Sequence, residues 1–360
     1  MEPQPVLCDT DAILNEALPN LQASSTLILD CEGINLGERG GSLSLITLRT
    51  TSPSSAQTYL IDVVRLSPSA LHPIFTLLRS SSVLKIVFDG RMDFSALYHG
   101  HGVELQGVLD LQLVDVASRR ESPEEHLQRL GKYLNRGEIN ANKRMYVDVH
   151  KLSGLAECVR EHSAADSQAA SKGQGECIRI NSAGLSGLNI YPSVSHAHWG
   201  LRPLPKDYIA YANADATLIH TLFKKFTEMG YITPNLTSLS YTYVSMWKDN
   251  QPAFPRTGHP LLPLGIINHA SSYGSSKPCT VCSRSLPEAA FSKTSWKANN
   301  RKCWVCRAVS VRGSNRRRWD SDDDDYGYED DSDDYGLGYD SDRYGLGYDS
   351  DDYGWEGYSD

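Results

Sequence analysis

The sequence predicts an α/β fold in which helices flank a mixed β-sheet, and three observations predict it. Apolar runs of strand length recur from about residue 24, each bounded by turn-forming residues. The first three runs are joined by polar Gly-, Pro- and Ser-containing segments, as in a strand meander. From residue 68 onward, strand patterns alternate with segments whose apolar residues fall at helical spacing.

The elements follow in order. STLILDCEGI reads as a buried strand, SLSLITLRT as a second after the turn-rich GERGG, and QTYLIDVV as a third. SPSALHPIFTLLRSS places Leu71, Ile74, Phe75 and Leu78 on one helical face. LKIVFDG is a fourth strand, and MDFSALYHGHG a short helix closed by glycine. GVLDLQLVDVAS starts as a strand and is open to either reading beyond that. Residues 121–162 are mostly helical in pattern. Residues 163–198 lose periodicity and gain Ser, Gly and Ala, which reads as an exposed, flexible insertion. Order resumes at WGLRPLPKDYIAYANADATLIHTLFKKFTEMG, an amphipathic helix of about five to six turns after its prolines. Residues 236–274 read as a linker, 275–312 as a cysteine module and 313–360 as a basic junction with a disordered acidic tail.

The length of 360 residues accommodates two or three domains. MEPQPVLCDTDAIL has no basic, apolar leader pattern, and no run reaches the length of a bilayer span. The expectation is an intracellular, soluble protein, nuclear or cytoplasmic, without a membrane partner. The net charge of −9 hides a division. Residues 320–360 hold 17 of the 44 acidic residues and one of the 35 basic ones, leaving 34 basic against 27 acidic in the rest. A basic body with an acidic tail suits a nucleic-acid binder carrying its own anionic competitor, or a tail that only solvates. YGLGYDSDR recurs as YGLGYDSDD nine residues on, a period too short for a solenoid unit.

Five residues carry the chemistry. Asp30 and Glu32 lie in LILDCEG, Asp93 in FDGRMDFSALY, and Tyr211 and Asp215 in YANAD. Asp30 and Glu32 are two apart on a strand and so point to one face. Tyr211 and Asp215 are four apart on a helix and share a face. Carboxylates on separate buried elements are costly unless a cation collects them. Mg²⁺ or Mn²⁺ prefers such hard oxygens, and two ions about 4 Å apart form a phosphodiester-cleaving device. The phenol of Tyr211 could orient or help deprotonate an attacking water. A lone DxE or YxxxD is a weak signal; the ordered set is a much stronger one.

Residues 5–230 resemble the DEDDy-type 3′–5′ exonucleases of the ribonuclease H-like fold, above all the ribonuclease D branch and the eukaryotic 3′–5′ exonuclease domain-containing proteins. DCEGINLGERGGSLSLITL is similar to the first motif and the strand after it, and VFDGRMDFSALY to the second. WGLRPLPKDYIAYANAD is similar to the third, with its lead-in at Trp199, Arg202, Pro203 and Leu204. The resemblance implies an exonuclease domain over 1–235 that acts on nucleic acid, with single-stranded RNA engaged at its 3′ end preferred over DNA. It implies that Asp30, Glu32 and Asp215 hold the ion that activates water, that Asp30 also touches a second ion with Asp93 nearby, and that Tyr211 positions the nucleophile. Some relatives have lost such residues and only bind RNA, so an inactive nucleic-acid-binding adaptor is the competing reading.

Other residues divide more evenly. Asp89 fits the branch pattern or caps a helix. Asp110 in VLDLQLVD reads as structural. Arg202 could meet a phosphate or pair with a carboxylate, and His196 and His198 read as solvated.

Of eight cysteines, Cys279, Cys282, Cys303 and Cys306 are grouped as C-x2-C-x20-C-x2-C. That spacing can close a tetrahedral Zn²⁺ site; with four protein ligands such a site is structural, not catalytic. Four unpaired thiols or a redox pair is the alternative. Phe291 and Trp296 supply a small core, and Lys293, Lys297, Arg301, Lys302, Arg307, Arg312 and Arg316 to Arg318 supply positive charge. Such a module could clamp single-stranded nucleic acid, or it and the tail could bind a protein. LPEAAFSK faintly resembles a fungal zinc domain of chromatin and RNA-silencing adaptors.

Overall fold

The structure is a computed structural model that describes residues 3–52, 56–170, 194–252, 260–267 and 275–319. Among these, six strands form one mixed sheet in the order β1-β4-β3-β2-β5-β6. The strands are β1 (Val6–Cys8), β2 (Thr26–Ile34), β3 (Ser42–Thr50), β4 (Thr58–Asp62), β5 (Leu84–Val87) and β6 (Val108–Asp110). β2, β3 and β4 pair antiparallel as the meander, whereas β1 joins β4 and β5 joins β2 and β6 in parallel. β1 and α1 (Asp11–Gln22) were not legible in the sequence. A three-residue strand is too short to show a period, and α1 carries a proline, Pro19, within its span, which reads as a helix breaker.

Helix ends follow local chemistry. Ser67 caps α2 (Pro68–Arg79) by accepting the Ala70 N–H, and Pro68 fills the first turn, where no N–H is needed. Leu71, Ile74, Leu77 and Leu78 then face the core, each burial contributing about 1.5–3 kcal/mol. α3 (Arg91–His101) stops at Gly102, whose φ of 63° lies in the left-handed region that glycine enters freely. The ambiguous VLDLQLVDVAS is both things: β6, then α4 (Leu111–Ser118).

The sheet is buried on both faces. Ile46 and Leu48 of β3 join the larger core beneath α1, α2 and α3, whereas Leu45 turns to a second cluster with Trp199, Leu204, Tyr208 and Ala212. Tyr208 and Ala212 lie on α8 (Lys206–Glu228), a helix of 23 residues. Across the ladder, Glu32 pairs with Leu45 and Asp30 with Thr47. Register therefore turns both carboxylates toward α8.

Three expectations need correction. The presumed linker opens with α9 (Leu236–Val244), whose Leu236, Leu239, Tyr243 and Val244 enter the main core. Their spacing is helical, but the polar residues between them hid it. α7 (Leu155–Ala170) runs past residue 163 into the presumed insertion, of which 171–193 lies outside the described residues. The final helix, α11 (Trp304–Trp319), continues past the presumed module end at 312. The acidic tail lies outside the described residues.

α5 (Pro123–Gly131) and α6 (Arg136–Asn142) supply Leu130 and Ile139 to a third cluster, joined by Tyr133 and Leu134 from the turn between them and by nearby Tyr146. The cysteine module supplies the rest of it. The module itself comprises the hairpin β7 (Ser276–Pro278) and β8 (Ser285–Pro287), the short α10 (Lys293–Lys297) and α11. No helix among the described residues is long and apolar enough to cross a membrane.

Candidate active site and the cysteine centre

Asp30 and Glu32 occupy the central strand, where β2 bends at a register shift between Glu32 and Gly33. Only glycine fits after Glu32, because a Cβ there would lie 2.0 Å from the Ser42 carbonyl oxygen. Asp215 arrives from α8, and its carboxylate lies within 4.8 Å of those of Asp30 and Glu32. Asp30 Oδ2 is buried without a hydrogen-bond partner.

Burial, then the charges of Asp93 and Asp215, push the Asp30 carboxyl well above the usual carboxylate range. Glu32 is raised in the same direction by burial and then by Asp30, Asp215 and Asp93. Three convergent carboxylates, Glu32 buried and Asp30 and Asp215 half-buried, with an unsatisfied oxygen fit a divalent cation, which would reverse these shifts by supplying the missing positive charge.

Asp93 stands just outside this group. In the first turn of α3, it accepts the Cys31 backbone N–H at 3.1 Å, between the two strand carboxylates. It is 5% exposed, and burial, then Asp89 and Asp110, push it up to about 8.

Tyr211 lies one turn before Asp215 and donates its hydroxyl to that carboxylate. Burial, then the charges of Asp215, Glu32 and Asp30, hold the phenol protonated. Its ring packs at 6.1 Å from the buried Trp199, which meets Tyr208 edge-on at 4.8 Å.

The less certain residues resolve by contact. Arg202 pairs with Asp62 at 2.5 Å and donates to the carbonyls of Trp199, Leu201 and Ser44, so it locks the lead-in loop to β3 and β4. Asp89 is not the N-cap of α3. That position is Gly90, and Asp89 forks onto Arg91 instead. Asp110 collects the N–H groups of Asp89, Gly90 and Gln112. His198 is exposed, but the half-buried His196 sets its ring edge-on to Tyr211 at 6.2 Å. Nothing in the sequence signalled that contact, because the short turn carrying His196 follows an aperiodic segment.

Asp115, Cys158 and His162 also converge. Arg119 holds the Asp115 carboxylate at 2.6 Å and His162 holds it at 2.9 Å, which fastens α4 to α7.

The four cysteine sulfurs of the module lie within 4.8 Å of one another. The Cys303 N–H points to the Cys279 sulfur at 3.4 Å, and the Arg284 carbonyl accepts the Cys279 N–H. Phe291 and Trp296 pack with ring centroids 5.5 Å apart behind the cluster. Four sulfurs with no open position match a structural metal centre.

The 3′–5′ exonuclease family matches residues 5–230, well over half of the chain. The chain belongs to the 3′–5′ exonuclease family. It is a nuclease, a hydrolase, and its fold is a six-stranded mixed sheet flanked by helices. The chain is similar to several solved structures. Trypanosoma brucei RNase D in complex with RNA U12 is 21% identical, with 82% of this chain and 88% of that one covered and a TM-score of 0.49. Escherichia coli RNase D, an exoribonuclease involved in structured RNA processing, is 18% identical over 69% of this chain and 54% of that one, at a TM-score of 0.41. The Aedes aegypti Nibbler EXO domain is 18% identical over 68% and 97%, at 0.37. No curated protein matches the chain.

Proposed function

We propose that this exonuclease removes nucleotides from the 3′ end of single-stranded RNA, using two Mg²⁺ or Mn²⁺ ions, while one Zn²⁺ braces the cysteine module. The observation that carries the reading is the convergence of Asp30, Glu32 and Asp215 around an unpartnered carboxylate oxygen, with the Tyr211 hydroxyl alongside. The RNA preference rests on the relatives, among them an RNase D crystallised with RNA.

Asp30, Glu32 and Asp215 would hold one ion, and Asp30 with Asp93 would serve the second. When bound, the pair supplies a deprotonated water and neutralises charge on the leaving oxygen. The protein supplies the rest. Asp93 fixes the backbone between Asp30 and Glu32 through the Cys31 N–H, so both carboxylates keep one orientation. Tyr211 stays protonated with its O–H on Asp215, and its oxygen can accept from a water and so orient it toward phosphorus. Trp199 and Arg202 hold the start of α8 against the sheet and so keep Asp215 at its distance from β2.

The test is degradation of a 5′-labelled single-stranded RNA and a matched DNA in Mg²⁺ or Mn²⁺, wild type beside Asp30→Ala. The expected result is an RNA ladder shortening from the 3′ end, slowed on the order of 10³-fold or more in the variant. Undiminished cleavage in Asp30→Ala overturns the assignment. Binding without turnover in the wild type favours an adaptor.

A further inference from the structure

The cysteine module contains a cavity that shares no residue with the carboxylate site. Its volume is about 470 Å³, within the roughly 300–1,000 Å³ range of small-molecule sites. Lys302 and Arg307 are its charged lining residues, and no carboxylate lines it. Asn300, Thr294, Ser295 and Ser310 add amide and hydroxyl groups. Trp304 forms a wall, is 4% exposed, and keeps its indole N–H without a hydrogen-bond partner. Arg307 is held at 3.0 Å by Glu138 of α6, so this wall is fastened to the helical segment that shares the module's core.

We propose that this cavity binds one nucleotide unit of a single-stranded nucleic acid, upstream of the end being cleaved. The inference rests on the nuclease reading and gives the strand a second point of attachment. Lys302, free of any carboxylate, an Arg307 whose guanidinium is braced by Glu138, and several neutral donors match a phosphodiester with its sugar hydroxyls. The volume favours a nucleotide over the isolated carboxylates of the chain's own acidic tail, which need no cavity of this size. Holding a strand at two places raises its local concentration at the catalytic group without changing the chemistry there. Lys302 is the cleanest probe, because its amine reaches only Ser310, at 3.3 Å on the surface.

The test uses the full chain and compares Lys302→Glu and Ser310→Asp with wild type, after zinc content confirms that the module has folded. Steady-state cleavage is measured on a 30-nucleotide RNA and on a trinucleotide. The expected result is KM raised about 10-fold on the long strand with kcat unchanged, no change on the trinucleotide, and a salt slope reduced by about one. An unchanged KM on the long strand in both variants overturns the proposal. So does an equal rise on the trinucleotide, which would mean general steering by charge. Deleting residues 320–360 separates the other occupant. If deletion lowers KM tenfold in wild type but not in Lys302→Glu, the cavity seats the tail and the proposal fails. Should the wild type cleave neither RNA nor DNA, the function proposed above falls alone, and equilibrium binding of the 30-nucleotide RNA to the same variants still decides the cavity.

Discussion

Two of the groups able to hold a metal among the described residues, the four cysteines and the Asp30, Glu32 and Asp215 carboxylates, are built on opposite plans. The cysteine centre is local: Cys279 to Cys306 span one hairpin and one helix start, and the four sulfurs enclose their site. The carboxylate centre is assembled from afar. Asp30 and Glu32 come from the central strand and Asp215 from a helix nearly two hundred residues on, and one carboxylate oxygen is left without a partner. A closed site with soft ligands stabilises; an open one with hard, mutually repelling ligands is poised to react. The sulfurs hold a fold together, whereas the carboxylates are held by a fold against their own repulsion.

Opening the closed site should do the most damage. Cys303→Ser should break the four-cysteine centre, where the proposed zinc would contribute about 10–16 kcal/mol of apparent binding free energy, as it does in small zinc modules. Because Trp304 meets Tyr146 at 5.8 Å and Arg312 covers Tyr133 at 4.4 Å, the damage should reach α5 and α6. Hydrogen exchange should show lost protection over 123–146 together with 276–312, while β2, β3 and β5 keep theirs. Full protection of α5 and α6 in the zinc-free variant would show that the shared cluster carries little stability.

A smaller effect tests the open site. Tyr211→Phe removes the hydroxyl donated to Asp215 and leaves the ring against Trp199. The expected loss is about 10²-fold in kcat with little change in KM, since the phenol acts on the water and not on strand binding. A variant as fast as wild type would reduce Tyr211 to packing.

How much of this was legible follows from the same contrast. The cysteine spacing is readable because its ligands are neighbours in sequence. The carboxylate set is readable only as an order of motifs, since proximity depends on a sheet register that pairs Glu32 with Leu45 and places α8 over that face. What stayed hidden depends on tertiary contact alone. Leu236, Leu239 and Tyr243 look like a linker until they meet the main core, and Glu138 looks solvated until Arg307 reaches it. His196 against Tyr211 is a third case, invisible because an aperiodic segment precedes it.

The smallest effect concerns the repulsion itself. Asp93 is raised from 3.8 to about 8 by burial and by the charges of Asp89 and Asp110, and Asp110 from 3.8 to about 7. For a carboxyl whose folded pKa lies above its unfolded value, the native state keeps a proton that the unfolded chain has released. Stability therefore falls as pH rises from about 4 through the folded pKa, and levels off above it. Without added Mg²⁺, and without chelation so that the cysteine centre stays intact, the melting temperature should decline between pH 5 and 8. Asp93→Asn retains an acceptor for the Cys31 N–H but cannot ionise. It should flatten part of that slope and raise the melting temperature at pH 8, on the order of 2–4 °C for each kcal/mol recovered. Added Mg²⁺ should recover the loss in the wild type by binding the folded state. A slope identical in wild type and Asp93→Asn would mean that Asp93 ionises freely in the fold, and that its buried charge does not strain the carboxylate group.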